Sequence, residues 1–418
     1  GVEAFSFEDA RIASLPQLKA ATGSIADAYF GHPSAALDVI ATTGTNGKTS
    51  TAWWTAQALS LLGRRCAVVG TLGIGVPPLP GQGAQIEFTG LTTPAPVMLH
   101  AALRQFADAS FRACAIEASS IGIVEQRIAG LRIAVALFTN FTRDHLDYHG
   151  TMEAYLAAKL KLDGLLAPRG VQVVNADDPA WAALPAGRTR ISFGFGSGAL
   201  VHPVDLVQGN TGSRFRLKTP AGAAEVALPL LGEFNVANAL AAATTGYALG
   251  LTPQTIAERL TLAPQVPGRM ERLADRPAVV LRDYAHTPDA LERALAALRP
   301  LTAGKLIVVF GCGGDRDRGK RPVMGRIAAT AADLAIVTSD NPRTEDPEQI
   351  IDDVEQGMGA APHRRVTDRV QAIAAALEAA RPGDTVLLAG KGHETYQVIG
   401  TEKVPFDEQE IVRRLGAS

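Results

Sequence analysis

The amino-acid sequence predicts an α/β protein with two sheet-containing domains, and three patterns lead to that prediction. From residue 37 onward, short apolar runs alternate with amphipathic stretches of helical periodicity, which is typical of βαβ units and a parallel sheet. Residues 201–231 interrupt the alternation with short segments separated by Gly and Pro, which predicts a small antiparallel sheet. The alternation restarts after Pro267-Gly268, which predicts a second, Rossmann-like α/β domain.

The individual elements follow from apolar runs bounded by turn residues. Buried strands are predicted at 37–42, 66–70, 112–117, 133–138, 171–175, 278–281, 306–310, 334–338 and 385–389. Helices are predicted at 15–30, 48–62 and 235–249.

Three segments are expected along the 418-residue chain, which is long enough for two or three domains of ordinary size. Residues 37–266 form the predicted central, phosphate-binding domain. Residues 267–418 form the predicted C-terminal domain, and Pro267-Gly268 is the natural hinge between the two. Residues 1–36 are too few for a complete unit.

Composition excludes several classes of protein. The net charge of -2, with 47% hydrophobic and 20% charged residues, points to neither nucleic acid nor an anionic membrane. No apolar run reaches the roughly 20 residues of a membrane span, and no secretory signal is visible. The cysteines (Cys66, Cys114 and Cys312) are far apart, which favours buried thiols in a reducing compartment. A cytoplasmic, monomeric protein without membrane insertion is expected.

The segment Gly44-Thr45-Asn46-Gly47-Lys48-Thr49-Ser50 carries the clearest chemical signal in the chain. It follows a predicted strand and opens a predicted helix, so backbone N–H groups and the helix N-terminus can bind phosphate oxygens. Lys48 would reach the β- and γ-phosphates, and the Thr49 hydroxyl would bind Mg²⁺. Thr42 stands where the usual phosphate-loop pattern has glycine.

Seven segments in order, from about residue 30 to the end, make the chain resemble the Mur ligase family. Besides TGTNGKT at 43–49, they are FTNFTRDHLDYHG at 138–150, LGEFNVANA at 231–239, DYAHTP at 283–288, GCGGDR at 311–316, DNPR at 340–343 and GKGHE at 390–394. The resemblance implies an ATP-dependent ligase that adds meso-diaminopimelate to UDP-N-acetylmuramoyl-L-alanyl-D-glutamate through an acyl phosphate, in peptidoglycan precursor synthesis. It also implies that residues 1–36 are a remnant of the domain that grips the uridine nucleotide, so no uridine-binding residues are assigned.

The same resemblance implies the residues that carry the reaction. Glu117 and His145 would coordinate a second Mg²⁺, although hard cations usually prefer oxygen ligands to histidine. Lys159 would carry a carbamate formed with CO₂, which requires a neutral amine and hence a lowered pKa. From the residues alone, Lys159 is an ordinary surface lysine on an amphipathic helix, and Lys161 is its rival.

Two further sets of residues are implied for the nucleotide and the muropeptide. Asn235 and Asn238 would contact adenine, although polar residues at a helix start often only cap the helix. Arg269, Asp283 and His286 would complete the ATP site from the second domain. The muropeptide set is Thr92, Thr93, Ser119 and Arg127.

The choice of amino acid is predicted to depend on Arg343, because diaminopimelate differs from lysine by a distal carboxylate that a guanidinium pairs best. Asn341-Pro342 can also be read as a plain turn, with Arg343 solvated. The resemblance adds further residues to this pocket, with Glu394 on the distal ammonium. They are Arg316, Asp340, Asn341, Gly390 and Glu394.

Four residues depart from the family pattern, three of them on the muropeptide side. They are Ala41, Leu91, Ile121 and Glu125.

Other functions remain open at this stage. A lysine-adding relative or a folylpolyglutamate synthetase would share the phosphate loop. A P-loop ATPase or switch would bind ATP without ligating anything. A non-catalytic binding protein would not need Lys159 or Glu117.

Overall fold

The computed structural model of the chain describes residues 15–79, 81–209, 212–262 and 265–416. The predicted remnant at 1–36 therefore lies only partly within the described residues. No helix in these described segments is long and apolar enough to cross a membrane.

The central part of the chain contains eleven strands and eight α-helices within the described ranges. The strands are β1 (Asp38–Thr43), β2 (Cys66–Gly70), β3 (Gly73–Val76), β4 (Gln85–Glu87), β5 (Ala113–Glu117), β6 (Ile133–Phe138), β7 (Leu166–Asn175), β8 (Thr189–Phe193), β9 (His202–Gly209), β10 (Gly212–Thr219) and β11 (Gly222–Leu228). The helices are α1 (Leu18–Tyr29), α2 (Lys48–Ser60), α3 (Pro96–Asp108), α4 (Ser120–Val124), α5 (Leu146–His149), α6 (Met152–Leu160), α7 (Glu233–Ala248) and α8 (Pro253–Thr261).

The first eight strands form one sheet in the order β4-β3-β2-β5-β1-β6-β7-β8. Strands β2, β5, β1, β6, β7 and β8 are parallel to one another, whereas β3 and β4 form an antiparallel edge. Buried apolar clusters cover both faces of this sheet, which explains why β1, β2, β5 and β6 are nearly continuous apolar runs. The prediction of a parallel sheet is confirmed, and the antiparallel edge adds two strands that were not predicted.

The small antiparallel sheet predicted at 201–231 is confirmed, with the order β11-β10-β9. Buried and exposed residues alternate along β10, as expected when one face packs on a core and the other meets water. Phe215 and Leu217 on its inner face join the core cluster that includes α7 and α8.

The C-terminal part contains a second sheet and a separate hairpin. Its strands are β12 (Glu271–Ala274), β13 (Val279–Asp283), β14 (Leu306–Phe310), β15 (Leu334–Val337), β16 (His363–Arg365), β17 (Thr385–Ala389), β18 (Tyr396–Ile399) and β19 (Glu402–Pro405). Its helices are α9 (Pro288–Leu298), α10 (Lys320–Ala331), α11 (Pro347–Glu355), α12 (Arg369–Ala379) and α13 (Glu408–Arg414). The sheet order is β12-β13-β17-β14-β15-β16, parallel except for β12, and β18 pairs with β19.

In an open parallel sheet, loops at the carboxyl ends of the strands form the ligand site. The phosphate loop follows β1, Glu117 ends β5, and the 138–150 segment begins at the end of β6. Asp283 ends β13, and Gly390 directly follows β17. The segments that carry the chemistry therefore lie at the carboxyl edges of the two sheets.

The three cysteines are free and buried, as predicted. Cys66 and Cys114 lie on the paired strands β2 and β5, where burial raises the pKa of both thiols.

One fully buried ion pair ties the last helix to the second sheet. Arg369 on α12 donates to Glu408 Oε1 at 2.9 and 2.8 Å and to the carbonyl oxygen of Ala389 at 2.9 Å. We expect Arg369→Met to lower the free energy of unfolding by about 3–5 kcal/mol, because Glu408 would keep an uncompensated buried charge. Urea unfolding would measure this loss.

The control is the double variant Arg369→Met/Glu408→Leu, which replaces the ion pair by apolar packing. It should recover most of the lost stability. A double variant no more stable than the single one would contradict this account.

Candidate functional site

A cavity of about 950 Å³ lies between the carboxyl edges of the two sheets. Most of the predicted nucleotide-binding residues line it, from both halves of the chain. They are Thr45, Asn46, Gly47, Lys48, Thr49, Ser50, Asn235, Asn238, Arg269, Asp283 and His286. Gly44 and Lys159 do not line it. The Gly44 carbonyl oxygen accepts from Lys48, which does line it, and from Lys159.

Two glycines give the phosphate loop its shape. Gly47 has φ 84° and Gly44 has φ 145°, a region that favours glycine over residues with a side chain. A Cβ on Gly47 would lie 2.3 Å from Asn238 Oδ1, and a Cβ on Gly44 would lie 1.9 Å from Thr139 Oγ1. The loop therefore needs glycine at both positions for conformation and for space.

The cation of the loop is buried beside its own backbone. Lys48 Nζ donates to the carbonyl oxygens of Gly44 at 2.9 Å and Thr45 at 2.8 Å. Burial lowers the pKa of Lys48, partly offset by the charges of Glu117 and Asp144. An amine held there can bind a phosphate that the loop amides and the N-terminus of α2 also attract.

Oxygen donors suited to a hard cation lie at the start of α2. Thr49 Oγ1 donates to Glu117 Oε2 at 2.9 Å, and Thr71 donates to both oxygens of Glu117. No group of three or more His, Cys, Asp or Glu side chains that could hold a metal occurs within the described ranges. Thr49 and Glu117 fit Mg²⁺, which prefers oxygen and usually keeps waters and substrate phosphates as its other ligands.

Lys159 lies inside the protein, whereas its rival Lys161 is exposed. Its Nζ donates to the Gly44 carbonyl oxygen at 2.7 Å and lies 4.3 Å from the centre of the Tyr155 ring. Burial, followed by the charge of Lys48, holds the pKa of Lys159 well below its ordinary value. A lowered pKa favours the neutral amine that carbamate formation requires.

Asp144 and His145 line the same cavity as the loop, in the segment predicted to hold metal. His145 has φ 52°, and its Nε2 lies 3.4 Å from Asp144 Oδ2. Burial lowers the pKa of His145, which favours the neutral ring. Burial disfavours the charged form of Asp144, but His145 and His286 outweigh it and lower its pKa.

The second sheet contributes the opposite wall of the cavity. Arg269 donates to Thr49 Oγ1 at 3.1 Å and lies 4.5 Å above the centre of the Tyr284 ring. Asp283 accepts the Met270 N–H at 2.7 Å, and burial raises the pKa of Asp283 to about 6. Burial also lowers the pKa of His286 to about 4, so this ring carries no charge at pH 7.

Asn235 and Asn238 do not cap α7. The residue before the helix is Gly232, which makes no side-chain cap. Asn235 Nδ2 donates to the Leu231 carbonyl oxygen at 2.8 Å, and Asn238 packs against the backbone of Gly47. These contacts leave adenine binding as a prediction and give Asn238 a place beside the phosphate loop.

A second cavity of about 780 Å³ adjoins the first. All six residues predicted for the amino-acid pocket line it: Arg316, Asp340, Asn341, Arg343, Gly390 and Glu394. The two cavities share Asp144, His145, Tyr284 and His286. A phosphate in the first cavity and an amine in the second would therefore approach each other at these shared residues.

Arg343 has an uncommon backbone conformation, φ 52°. Backbone hydrogen bonds to residues of the β18–β19 hairpin hold it in place. Its N–H donates to the Val398 carbonyl oxygen at 3.0 Å, and its carbonyl oxygen accepts the Gly400 N–H at 2.8 Å. Its Nη1 donates to the Gly314 carbonyl oxygen at 2.9 Å. The half-buried guanidinium is thus held at the cavity wall, and is not the solvated side chain of a plain turn.

The predicted muropeptide residues lie together but differ in exposure. Thr92 and Ser119 line the first cavity. Thr93 is fully buried and donates to the Glu117 carbonyl oxygen at 2.8 Å, while Arg127 donates to the Thr93 carbonyl oxygen at 3.1 Å. The structure therefore gives Thr93 a supporting position beneath the cavity wall.

Three of the residues that depart from the family pattern lie near this wall. Leu91 is exposed, and Ile121 lines the second cavity. Glu125 pairs with Lys19 of α1 and accepts the Tyr148 hydroxyl at 2.6 Å. The fourth, Ala41, is fully buried in β1.

Sequence reasoning missed Asp289, which joins the two halves of the site. Its Oδ2 accepts Asn46 Nδ2 at 2.8 Å and the Thr142 hydroxyl at 3.3 Å, and its Oδ1 accepts Arg293 Nε at 2.9 Å. An acidic residue in the first turn of a helix is usually explained by the helix dipole, so the sequence held no signal for this role.

Comparisons with known proteins agree with this geometry. The family profile of the Mur ligase middle domain matches residues 42–246, and that of the Mur ligase glutamate ligase domain matches residues 268–392. A UDP-N-acetylmuramoyl-L-alanyl-D-glutamate–2,6-diaminopimelate ligase from Acidovorax sp. (strain JS42) is 49% identical, covering 99% of this chain and 84% of the relative. The chain belongs to the Mur ligase family. An enzyme of the same name from Pseudomonas aeruginosa is 45% identical over 97% of this chain and 83% of that protein.

Solved structures support the same assignment. A structure of a UDP-N-acetylmuramoyl-L-alanyl-D-glutamate–2,6-diaminopimelate ligase matches with a TM-score of 0.67 and 37% identity, covering 98% of this chain and 85% of that one. A folylpolyglutamate synthase from Mycobacterium tuberculosis, complexed with ADP and AMPPCP, has a TM-score of 0.73 but 20% identity, covering 89% and 92% of the two chains. This second likeness concerns the fold alone.

The phosphate loop offers a direct test. We expect Gly47→Ala to abolish measurable ATP binding in isothermal titration, because the new methyl group meets Asn238 and strains a left-handed backbone. The matched control is Gly63→Ala, at φ 76°, where a Cβ meets no atom within 4 Å. The control should lose about 1 kcal/mol of stability and keep ATP affinity. Equal loss of affinity in both variants would contradict the role of Gly47.

Proposed function

We propose that this chain is the ATP-dependent ligase that adds meso-diaminopimelate to UDP-N-acetylmuramoyl-L-alanyl-D-glutamate in peptidoglycan precursor synthesis. The observation that carries the proposal is the junction of two cavities, one with a phosphate loop and one with paired cationic and anionic side chains. A ligase needs a site for ATP and a site for an amine, placed so that both the γ-phosphate and the amine nitrogen can reach the same carboxyl group of the substrate.

The reaction joins a carboxylate to an amine in two steps, phosphorylation of the carboxylate and attack by the amine. A carboxylate oxygen of the D-glutamate residue attacks the γ-phosphorus of ATP, which gives an acyl phosphate and ADP. The amine of diaminopimelate then attacks the acyl carbon, phosphate leaves with the bonding electron pair, and the nitrogen loses a proton. The protein contributes mostly positioning and electrostatic stabilisation to such phosphoryl transfer.

On the ATP side, each residue has a defined task. The loop amides and Lys48 would hold the phosphates of ATP. Arg269 of the second domain contacts Thr49 at the end of the same loop. Thr49 would hold one Mg²⁺ together with the phosphates, and Glu117 and His145 would hold a second. A bound Mg²⁺ would neutralise charge that develops on the phosphoryl oxygens.

Lys159 is assigned the carbamate. CO₂ adds to the neutral amine with loss of a proton, which replaces an uncharged group by an anion near Lys48. The anion would be stabilised by Lys48 and would help to orient the Mg²⁺ on the side of the γ-phosphate.

On the amine side, the pocket presents charges of both signs. Arg343 and Arg316 would bind the distal carboxylate, and Glu394 would bind the distal ammonium. Because a buried group left without its partner costs free energy, this arrangement would reject lysine, which lacks the distal carboxylate.

The central test is phosphate release by the purified protein with ATP, Mg²⁺ and UDP-N-acetylmuramoyl-L-alanyl-D-glutamate. We expect release with meso-diaminopimelate and none above background with L-lysine. Release with lysine would keep the ligase and overturn the pocket assignment. ATP hydrolysis that ignores both acceptors would favour a P-loop ATPase without ligation.

Arg343 is tested by Arg343→Leu. We expect kcat/KM for meso-diaminopimelate to fall by about 100-fold, or about 2.8 kcal/mol, because the distal carboxylate loses its partner. The KM for ATP should stay unchanged in the same steady-state assay. The matched control is Arg364→Leu, an exposed residue on β16 outside both cavities. Equal effects of the two substitutions would count against Arg343 as the selector.

Lys159 is tested by removing CO₂. In carbonate-free buffer the activity should fall, and bicarbonate should restore it, because the carbamate re-forms on the neutral amine. Lys159→Ala should lower kcat by roughly 10–100-fold. The control variant Lys161→Ala, at an exposed neighbouring lysine, should have the activity of the wild-type protein. Full activity in carbonate-free buffer would rule out the carbamate.

Activity should also fall as the pH is lowered, because protonation of Lys159 competes with CO₂. Burial lowers the pKa of this amine, so the loss should occur at lower pH than it would for an exposed lysine. The pH profile of kcat at fixed bicarbonate measures this effect.

A further inference from the structure

A buried ammonium lies directly behind the amino-acid pocket. Lys391 follows Gly390 at the carboxyl end of β17, and it is fully buried. It is absent from the walls of both cavities, so it does not itself meet a substrate there. The role of this lysine must therefore be exerted through its neighbours.

Three side chains surround the Lys391 ammonium. Its Nζ lies 3.0 Å from Asn341 Oδ1, 3.1 Å from Glu394 Oε2 and 3.4 Å from Asp340 Oδ1. Asn341 Nδ2 also donates to Glu394 Oε2, at 2.9 Å. The Val398 N–H donates to Asn341 Oδ1 at 2.9 Å, which fixes the orientation of that amide.

These contacts use one oxygen of Glu394 and leave the other for the pocket. Both hydrogen bonds that the described residues give to this carboxylate end on Oε2. Glu394 lines the second cavity, so Oε1 is the atom able to accept from a ligand. The carboxylate is held by two donors on one edge and cannot rotate without losing both.

The charge of Lys391 is also needed by the two carboxylates beside it. Asp340 is buried and Glu394 is largely so. Burial disfavours the charged form of Asp340, but Lys391 and Arg369 outweigh it and hold its pKa below the ordinary value. Without a cation at this place, two neighbouring buried carboxylates would repel each other.

The distal carbon of diaminopimelate carries an ammonium, a carboxylate, a hydrogen and the chain. Suppose that Glu394 Oε1 binds the ammonium and Arg343 binds the carboxylate. The direction in which the carbon chain of the ligand leaves the pocket then permits only one configuration at the distal carbon. In the opposite configuration one group would lose its partner or meet a like charge. Discrimination between stereoisomers therefore depends on a Glu394 carboxylate that does not move.

Building on the proposed function, we propose that Lys391 is a positioning residue that locks Glu394 and thereby sets the selectivity between meso- and LL-diaminopimelate.

The test measures kcat/KM for both stereoisomers in Lys391→Met. We expect kcat/KM for the meso form to fall by roughly 100-fold, because a small displacement of Glu394 would misplace the bound amino acid. The KM for ATP should change little. The ratio between meso and LL forms should fall towards one. The matched control is Lys218→Met, an exposed lysine on β10. An unchanged ratio in folded Lys391→Met would overturn the proposal.

A second variant covers the case in which Lys391→Met does not fold. Lys391→Arg keeps the charge that Asp340 and Glu394 require, but its fork places the donors differently. It should fold with a cooperative melting transition and still lose selectivity. Wild-type selectivity in this variant would overturn the proposal.

A double-mutant cycle separates positioning from general damage. If Lys391 acts through Glu394, then Lys391→Met/Glu394→Gln should lose no more kcat/KM than Glu394→Gln alone. Fully additive losses would overturn the proposal. Absence of activity in the wild-type protein with either stereoisomer would instead refute the proposed function, so the two failures are distinguishable.

Discussion

The site depends on a few polar contacts that hold the carboxyl edges of two sheets against each other. Asp289 on α9 accepts hydrogen bonds from Asn46 of the phosphate loop and from Thr142 of the opposite loop. Arg269 reaches back to Thr49. These bonds join residues that are far apart in the chain and that line the two cavities. Each of these hydrogen bonds is individually modest.

Burial of charge is the second constraint. Lys48 and Lys159 are two buried amines near the Gly44 carbonyl oxygen, and burial lowers the pKa of each. Such a place suits a phosphate, and a carbamate on Lys159 would put an anion beside the Lys48 cation. Glu117 and Asp144 supply the oxygen-rich side where a metal ion would fit. The ATP site thus places buried amines near carboxylates. A bound anion would compensate the Lys48 cation, and a bound cation would compensate the carboxylates.

Much of this arrangement could be predicted from the sequence. Strands such as β2, β6, β14 and β17 were predicted with the bounds that the structure has, because they are buried on both faces and therefore continuously apolar. The antiparallel edge formed by β3 and β4 was missed, since short edge strands carry little pattern. Contacts made by Asp289 and the buried position of Thr93 could not be predicted either, because they depend on which loops meet in three dimensions.

The most direct test of the account is isotopic. If the carboxylate attacks the phosphorus of ATP, then UDP-N-acetylmuramoyl-L-alanyl-D-glutamate labelled with ¹⁸O in its glutamate carboxylates should pass one labelled oxygen to the phosphate released during a single turnover with diaminopimelate. Mass spectrometry of that phosphate decides the question. Labelled phosphate would show that the two cavities cooperate through an acyl phosphate. Unlabelled phosphate, with amide product formed, would contradict the mechanism assigned to their junction.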